Sequence, residues 1–365
     1  MNTLLDLLRQ PPTPRPASPD GPPVPDRFWA EGRLPAEHLS IEVEGLCPLP
    51  QPLPPTQAQA LHDLSEPAQF GLRDQTLLDT TVRHTGEISA DLLSLDWQPG
   101  AFAALKQAVA QALGVEQIDA WLHNLLIYGP GQFFKPHQDT EKHPGMVATL
   151  VLVWPSAHIG GALRVVHGAD EGSLQSHHLQ VDSLRWCAFY ADCQHEVLPV
   201  QEGWRVVLSF DLVVPARMRQ GEAAAAPALV RALREQCFPE GEPSTQPWVF
   251  LLDHEYTEHG LRWQLLKGLD RARVAALRSA AQELGLVMHL ALAEIHESWT
   301  ATLRYRGRWY QSEERPPWPR QLPVFVQACE AAGLPAALLD QLLAQCLALR
   351  IARDREQATQ TPAER

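Results

Sequence analysis

Residues 133–143 read Phe-Phe-Lys-Pro-His-Gln-Asp-Thr-Glu-Lys-His and set His137 and Asp139 two positions apart. An imidazole and a carboxylate so close are a possible first half of a metal site. A His-x-Asp alone is weak evidence, because in a chain with 15 histidines chance supplies roughly one such triplet. The surroundings are more specific. The triplet follows an apolar stretch and a turn, Leu125 to Pro136, and His195 opens a later apolar stretch, with Arg205 ten residues beyond it. Two histidines and one carboxylate can hold one face of Fe(II) and leave positions open for a co-substrate and O2. A 2-oxo acid chelating that iron carries a distal carboxylate, and Arg205 is a cation that keeps its charge and can pair with it through two nitrogens. His158, His167, His177 and His178 compete with His195 for the third position, but no arginine follows His177 and His178 at the needed distance. His143 reads as a solvated loop residue, and Lys135 and Lys142 as surface charge.

Such a set needs strands of one barrel to bring its members together. Segments 121–128, 146–154, 161–167, 183–190 and 204–214 are short, rich in β-branched and aromatic residues, and separated by Gly, Pro, Asp and His. Repeated short strands without intervening helices predict a sandwich or barrel, and a double-sheet jelly roll fits their number. His195 falls at the start of a strand, and Gln201-Glu202-Gly203 reads as a hairpin turn before Arg205. Ahead of the strands, residues 101–113 have helical texture with Gly114 as the stop. Thr149 and Val151 alternate with Ala148 and Leu150, so one of the two sets lines the barrel. Asp192 and Gln194 stand beside His195 as candidates to orient it, and serve equally well as turn residues.

Composition narrows the partners. The chain has 365 residues, is 45% hydrophobic, and carries 30 basic against 43 acidic residues for a net charge of −13. No dense Lys/Arg run offers the basic footprint that phosphate binding needs, so no nucleic-acid partner is expected. No stretch approaches the ~20 apolar residues that span a bilayer, and the N-terminus lacks the basic opening of a secretory signal. Six scattered cysteines without a Cys-x-x-Cys pair read as reduced thiols, which predicts a cytoplasmic protein.

Residues 121–213 resemble the catalytic core of the Fe(II)/2-oxoglutarate-dependent dioxygenases, in particular the prolyl 4-hydroxylase-like branch. The resemblance is carried by Tyr128-Gly129-Pro130-Gly131, an aromatic Phe134 three residues before His137, the His137-x-Asp139 pair, and His195 with Arg205 ten residues on. It implies Fe(II), 2-oxoglutarate and O2, with ascorbate as a further candidate. His137, Asp139 and His195 would then ligate iron, Arg205 would pair with the distal carboxylate of 2-oxoglutarate, and Tyr128 would hydrogen-bond the co-substrate. Phe134 stands where that branch commonly has tyrosine and would be a pocket wall without a hydroxyl. Phe134, Thr149 and Asp192 are the residues expected around the metal ligands or the substrate. The implied reaction oxidises an unactivated C–H bond while the oxo acid becomes succinate and CO2. A peptidyl, prolyl-like substrate is favoured over a small molecule; a demethylase of the same chemistry and a non-catalytic jelly-roll binding module are the alternatives.

The resulting fold class is α+β, a double-stranded β-helix (jelly-roll) catalytic core with flanking helices and a C-terminal α+β domain. The expected boundaries are a Pro-rich arm and preamble over 1–64, the jelly-roll domain over 65–218, a C-terminal domain over 228–352 and a disordered tail over 353–365. Within the C-terminal domain, 247–257, 286–295 and 300–307 read as strands. Residues 270–284 read as a helix capped by Asp270 and stopped by Gly285, and 322–351 as another helix.

Overall fold

The computed structural model describes residues 4–9, 28–46, 48–72, 75–175, 182–215, 226–241, 248–292, 302–304 and 308–310. Its centre is a seven-stranded antiparallel sheet. In spatial order its strands are Trp29–Pro35, Ser183–Tyr190, Met146–Trp154, Arg205–Val213, Asp119–Tyr128, Gly86–Ser89 and Glu66–Pro67. A five-stranded sheet is ordered Asp170–Leu174, Leu163–His167, Gln194–Val197, Phe133–His137 and Arg83–His84. From Asp119–Tyr128 onward the chain passes back and forth between the two sheets, with Leu163–His167 and Asp170–Leu174 forming a hairpin inside the smaller one, a course that fits a jelly roll.

Met146–Trp154 and Arg205–Val213 are buried along their whole length. A strand covered on both faces has no solvent side, so its sequence is a near-continuous apolar run rather than an alternation. Alternation survives as a choice of face. Thr149, Val151 and Val153 pair with Asp211, Ser209 and Val207, which continue to Arg205. Leu150 pairs with Phe210 on the opposite face, where Phe102 of the helix Ala101–Ala112 lies against Phe210 with ring centroids 6.0 Å apart. The helix therefore covers the outer face, and the row from Thr149 to Arg205 looks inward.

The sheet extends upstream of the boundary expected at residue 65. Trp29–Pro35 pairs with Ser183–Tyr190 over seven residues, and Leu39–Val43 pairs with Leu93–Trp97. Leu39, Ile41 and Val43 are buried in the main core. An unpaired Ser183–Tyr190 edge would expose backbone hydrogen-bonding groups, and the segment before residue 65 covers them. Residues 28–46 thus belong to the catalytic unit, not to a preamble. Leu4 and Leu8 of the helix Leu4–Arg9 join a second core with Leu229, Val230 and Leu233 of Pro227–Cys237 and Leu277, Ala280 and Ala281 of Gly268–Glu283.

Other expectations shift in detail. Val200–Gly203 is a strand paired with His158–Gly160, not a hairpin turn. Residues 248–257 and 286–292 form no strand. Gly268–Glu283 is the expected helix and ends at Gly285 in the left-handed region, φ 70°. Asp270 does not cap it; its carboxylate instead accepts the Asp253 and His254 amides. The thiols of Cys187, Cys193 and Cys237 are unpaired. No helix of the described residues is long and apolar enough to cross a membrane. The proline arm, the 322–351 helix, the tail, His177 and His178 lie outside the described residues.

Ile41 is fully buried, so Ile41→Ala is expected to cost about 2–5 kcal/mol. Urea unfolding measures this, and a change below about 0.5 kcal/mol, the scale of surface substitutions, would return residues 28–46 to the status of a dispensable preamble.

Candidate metal centre

His137 ends the strand Phe133–His137 and sits directly across from His195 of Gln194–Val197. Between Phe134 and His137 the register slips by one residue. Pro136 lies in that slip, where its missing N–H removes no ladder bond. A bulge at this point bends the strand and re-aims the side chains that follow it, which turns His137 towards His195 with ring centroids 4.1 Å apart. Asp139 lies just beyond, its amide donating to the Ala191 carbonyl at 3.2 Å. Ligand atoms of His137, Asp139 and His195 all lie within 4.8 Å of one another, and His195 Nε2 is 3.8 Å from Asp139 Oδ1.

The ring nitrogens are sorted by their neighbours. His137 Nδ1 donates to the Lys135 carbonyl at 2.8 Å and His195 Nδ1 to the Cys193 carbonyl at 3.2 Å. A carbonyl oxygen only accepts, so each Nδ1 carries the proton and each Nε2 keeps a lone pair, the arrangement of a metal-binding imidazole. Burial first, then the neighbouring His195, pushes His137 down to about 3, so its ring is neutral. Burial alone would raise the Asp139 carboxyl. The neighbouring His195, Lys142 and His137 and the Thr149 hydrogen bond outweigh it and hold the group at about 2. Two imidazoles that present Nε2 and one ionised carboxylate form a donor set that fits a divalent first-row metal with open positions.

Several expected neighbours come together here. Thr149 Oγ1 donates to Asp139 Oδ2 at 2.5 Å. Phe134 is stacked on the His137 ring, with centroids 3.4 Å apart and 22° between planes. The Arg83 guanidinium lies over the Phe134 ring, 4.7 Å from its centre, and Phe70 meets the ring in an edge contact. Phe134 therefore backs the His137 ring. Tyr128 and Arg205 are cross-strand partners on the inner face of the large sheet, with the guanidinium 5.4 Å from the ring centre. Arg205 is 1% exposed, yet its Nε and Nη2 meet no acceptor. Gly161 makes room for it, since a Cβ there would come within 2.8 Å of Arg205 Cδ. Burial lowers the guanidinium pKa without making Arg a neutral side chain at ordinary pH. A buried cation with no counter-charge is costly, and a carboxylate entering from the barrel interior would relieve that cost, which is the fit 2-oxoglutarate offers.

Asp192 does not touch the ligands. Its side chain forms a second group with His167 and His254, while its carbonyl accepts from Gln138 Nε2 at 2.7 Å. Among the rivals for the third position, His167 is absorbed by this second group. His158 is buried with Nδ1 on the Ser156 carbonyl at 2.9 Å. Lys142 and His143 are not free surface groups, because Lys142 Nζ lies 3.4 Å from Asp211 Oδ1 and His143 Nε2 lies 3.3 Å from Asp211 Oδ2. Asp211 shares the inward row with Thr149. Sequence reasoning missed Arg83, Gln138, Asp211 and Lys267, and reads His254 as a structural or exposed residue. Gln138 alone had a signal, as the middle residue of the triplet.

The family model of the 2OG-Fe(II) oxygenase superfamily matches residues 123–210, which include both histidines, Asp139 and Arg205. The match covers this segment, about a quarter of the chain, and makes it similar to that superfamily. The oxygenase chemistry of that superfamily uses Fe(II), 2-oxoglutarate and O2. No match is found among the curated proteins. Among solved structures, the chain is similar to a prolyl-4-hydroxylase from Pseudomonas putida, at 20% identity and TM-score 0.29 over 48% of this chain and 93% of that one. It is also similar to a prolyl hydroxylase from Trichoplax adhaerens, in complex with a hypoxia inducible factor oxygen degradation domain peptide fragment. There the identity is 15% and the TM-score 0.31, over 48% and 84% of the two chains. A 2OG-Fe(II) oxygenase family oxidoreductase from Burkholderia pseudomallei gives 15%, 0.26, 43% and 78% for the same measures.

Thr149 holds Asp139 from the inner face, so Thr149→Val is expected to weaken metal binding by the roughly 10–100-fold typical of lost orienting groups. Anaerobic Fe(II) titration reads this directly. An unchanged affinity would leave the Thr149 hydrogen bond without a role at the centre.

Proposed function

We propose that the chain is an Fe(II)- and 2-oxoglutarate-dependent dioxygenase in which His137, Asp139 and His195 hold the iron and Arg205 and Tyr128 hold 2-oxoglutarate. The observation that carries the reading is the convergence of two lone-pair-bearing Nε2 atoms and one ionised carboxylate in the same interior as a buried guanidinium whose Nε and Nη2 find no acceptor among the described residues. When bound, iron with 2-oxoglutarate and O2 supplies the oxidising power to convert a C–H bond to an alcohol, with succinate and CO2 released. The chain's own residues bind and orient. Lys135 and Cys193 carbonyls fix the two imidazoles, Thr149 fixes Asp139, and Arg205 receives the distal carboxylate through nitrogens that no protein group occupies. Apolar Val151, Val153 and Val207 on the inward row keep water from the space between Arg205 and the ligands.

The substrate in this reading is peptidyl and prolyl-like. The support is the spacing of Tyr128, Phe134, His137, Asp139, His195 and Arg205, which resembles the prolyl 4-hydroxylase-like branch. A cytoplasmic location agrees with the unpaired, buried thiols of Cys187 and Cys193.

Anaerobic mixing of the chain with Fe(II) and 2-oxoglutarate is expected to give the visible charge-transfer band of a chelated oxo acid, absent in His137→Ala. Arg205→Ala should keep the band but require far more 2-oxoglutarate, a loss of about 2–5 kcal/mol for a truncated buried charge pair. The oxygenase reading fails if the wild-type chain shows no band and His137→Ala binds 2-oxoglutarate equally well. Succinate release against a panel of prolyl peptides and small hydroxylation substrates tests the substrate, and turnover confined to the small molecules would reject the peptidyl assignment.

A further inference from the structure

A second His–Asp–His group lies behind the turn that delivers His195. His167 ends the strand Leu163–His167, Asp192 sits in the turn between Ser183–Tyr190 and Gln194–Val197, and His254 comes from the segment after the oxygenase core. Their ligand atoms also fall within 4.8 Å of one another. Asp192 Oδ2 accepts from His254 Nδ1 at 2.9 Å and from the Glu255 amide at 3.0 Å, and His167 Nε2 lies 3.6 Å away. Asp192 Oδ1 accepts from Lys267 Nζ at 2.9 Å, and the same ammonium donates to the Glu255 carbonyl at 2.9 Å.

The charge count decides between a metal and a clasp. Asp192 and Lys267 are each less than a tenth exposed, and their charges cancel. A dication placed on a carboxylate already neutralised would leave an uncompensated buried charge, the costly arrangement for ions out of water. Burial would raise the Asp192 carboxyl, but the His167 and His254 hydrogen bonds and the Lys267 charge hold it far below the usual carboxylate range. The site is satisfied as it stands.

The clasp also has a place in the site. Asp192 is three residues before His195, and its carbonyl is held by Gln138, the residue between His137 and Asp139. Gln138 Nε2 also reaches Glu255 Oε2 at 3.4 Å. On the far side, Tyr256 accepts the Lys267 amide and donates to buried Asp270, whose carboxylate also takes the Asp253 and His254 amides. Between the two elements lies a cavity of about 180 Å³, lined by Gln138, Asp139 and Glu141 from the core and by Glu255, Tyr256 and Thr257 from the segment.

We propose that Asp192 and Lys267, with His167 and His254, form a charge-neutral clasp that fixes residues 253–267 as a wall of the cavity beside Asp139 and positions the turn carrying His195. Lys267 supplies the counter-charge to Asp192 that a metal ion would otherwise bring. Asp192 and Lys267 are positioning residues for the centre, and Glu255, Tyr256 and Thr257 are the wall that meets whatever enters beside Asp139. The positioning role rests on the iron reading above; the clasp itself does not.

The test uses the full chain with Lys267→Met and with the neutral pair Asp192→Asn plus Lys267→Met. Hydrogen exchange of amides 253–257 and 191–195 is expected to quicken by about tenfold or more in the single variant, as for local opening of a docked segment. It should slow again in the neutral pair, which restores charge balance and keeps an acceptor for His254 and the Glu255 amide. Iron affinity, read from the charge-transfer band at limiting Fe(II), should fall in the single variant and recover in the pair, which a loss of general stability would not reproduce. Unchanged exchange in Lys267→Met overturns the clasp. Two metal equivalents in the purified chain, one lost in His254→Ala and kept in Lys267→Met, overturn it in favour of a second metal site. Altered exchange with unaltered iron affinity removes the positioning role, and a wild-type chain with no band fails the iron reading while the exchange result stands.

Discussion

The pairing of His137 with His195 across two antiparallel strands is the constraint on which the rest of the centre depends. Side-chain direction alternates along a strand, so a shift of one residue would send one imidazole to the other face. The register is set by apolar residues away from the metal: Val197 opposite Phe134 in one pair, and Leu163 and Val165 opposite Val197 and His195 in the next. Leu163 and Val165 are buried in the main core. The bulge around Pro136 then adds the one local adjustment that brings the second imidazole round. Packing fixes the strands, and the strands fix the nitrogens.

Buried charge is handled in two opposite ways within this frame. Arg205 is enclosed with two nitrogens unpaired, whereas Asp192 is enclosed with a cation, two imidazoles and an amide around it. A fold selected for stability alone has no use for the first arrangement, because an isolated buried ion is penalised by several kcal/mol even after relaxation. The cost is tolerable beside a core that runs from Ala30 to Leu265, and it leaves the interior poised for an anion. Asp192 shows the complement, a buried charge that docks one part of the chain on another.

The inner strands were legible because they are largely apolar and rich in β-branched and aromatic residues: Met146–Trp154 and Ser183–Tyr190 fall where their composition places them. His137, Asp139, His195 and Arg205 were legible because their spacing is a property of two strands and the links around them. The edge strand Trp29–Pro35 was not, since Trp-Ala-Glu-Gly-Arg-Leu-Pro has little strand character of its own and pairs only because Ser183–Tyr190 presents a free edge. Gln201-Glu202-Gly203 has turn chemistry, but His158–Gly160 recruits it into a ladder. Phe134 reads as a pocket wall by its spacing, and only packing reveals His137 stacked on it and Arg83 over its ring. Lys267 was invisible for a different reason: it acts on Asp192 from 75 positions away, and a salt bridge carries no periodicity.

Two His–Asp–His groups in one chain, built from the same side chains at similar separations, thus diverge through a single neighbour. Asp192 has Lys267 at 2.9 Å. Asp139 has no lysine or arginine within ion-pair distance among the described residues, because Lys142, the cation closest to it in sequence, is drawn to Asp211. Asp211 is 1% exposed and lies level with Thr149 on the inward row, so the strand that carries Arg205 also carries the carboxylate that diverts Lys142. The result leaves Asp139 ionised, hydrogen-bonded by Thr149 and without a resident cation. An ionised carboxylate between two lone-pair-bearing imidazoles is a low-cost place for a divalent ion to settle, whereas Asp192 already has its counter-charge. Ligand type and spacing therefore do not by themselves separate a metal centre from a structural clasp; the disposition of the nearest permanent cation does.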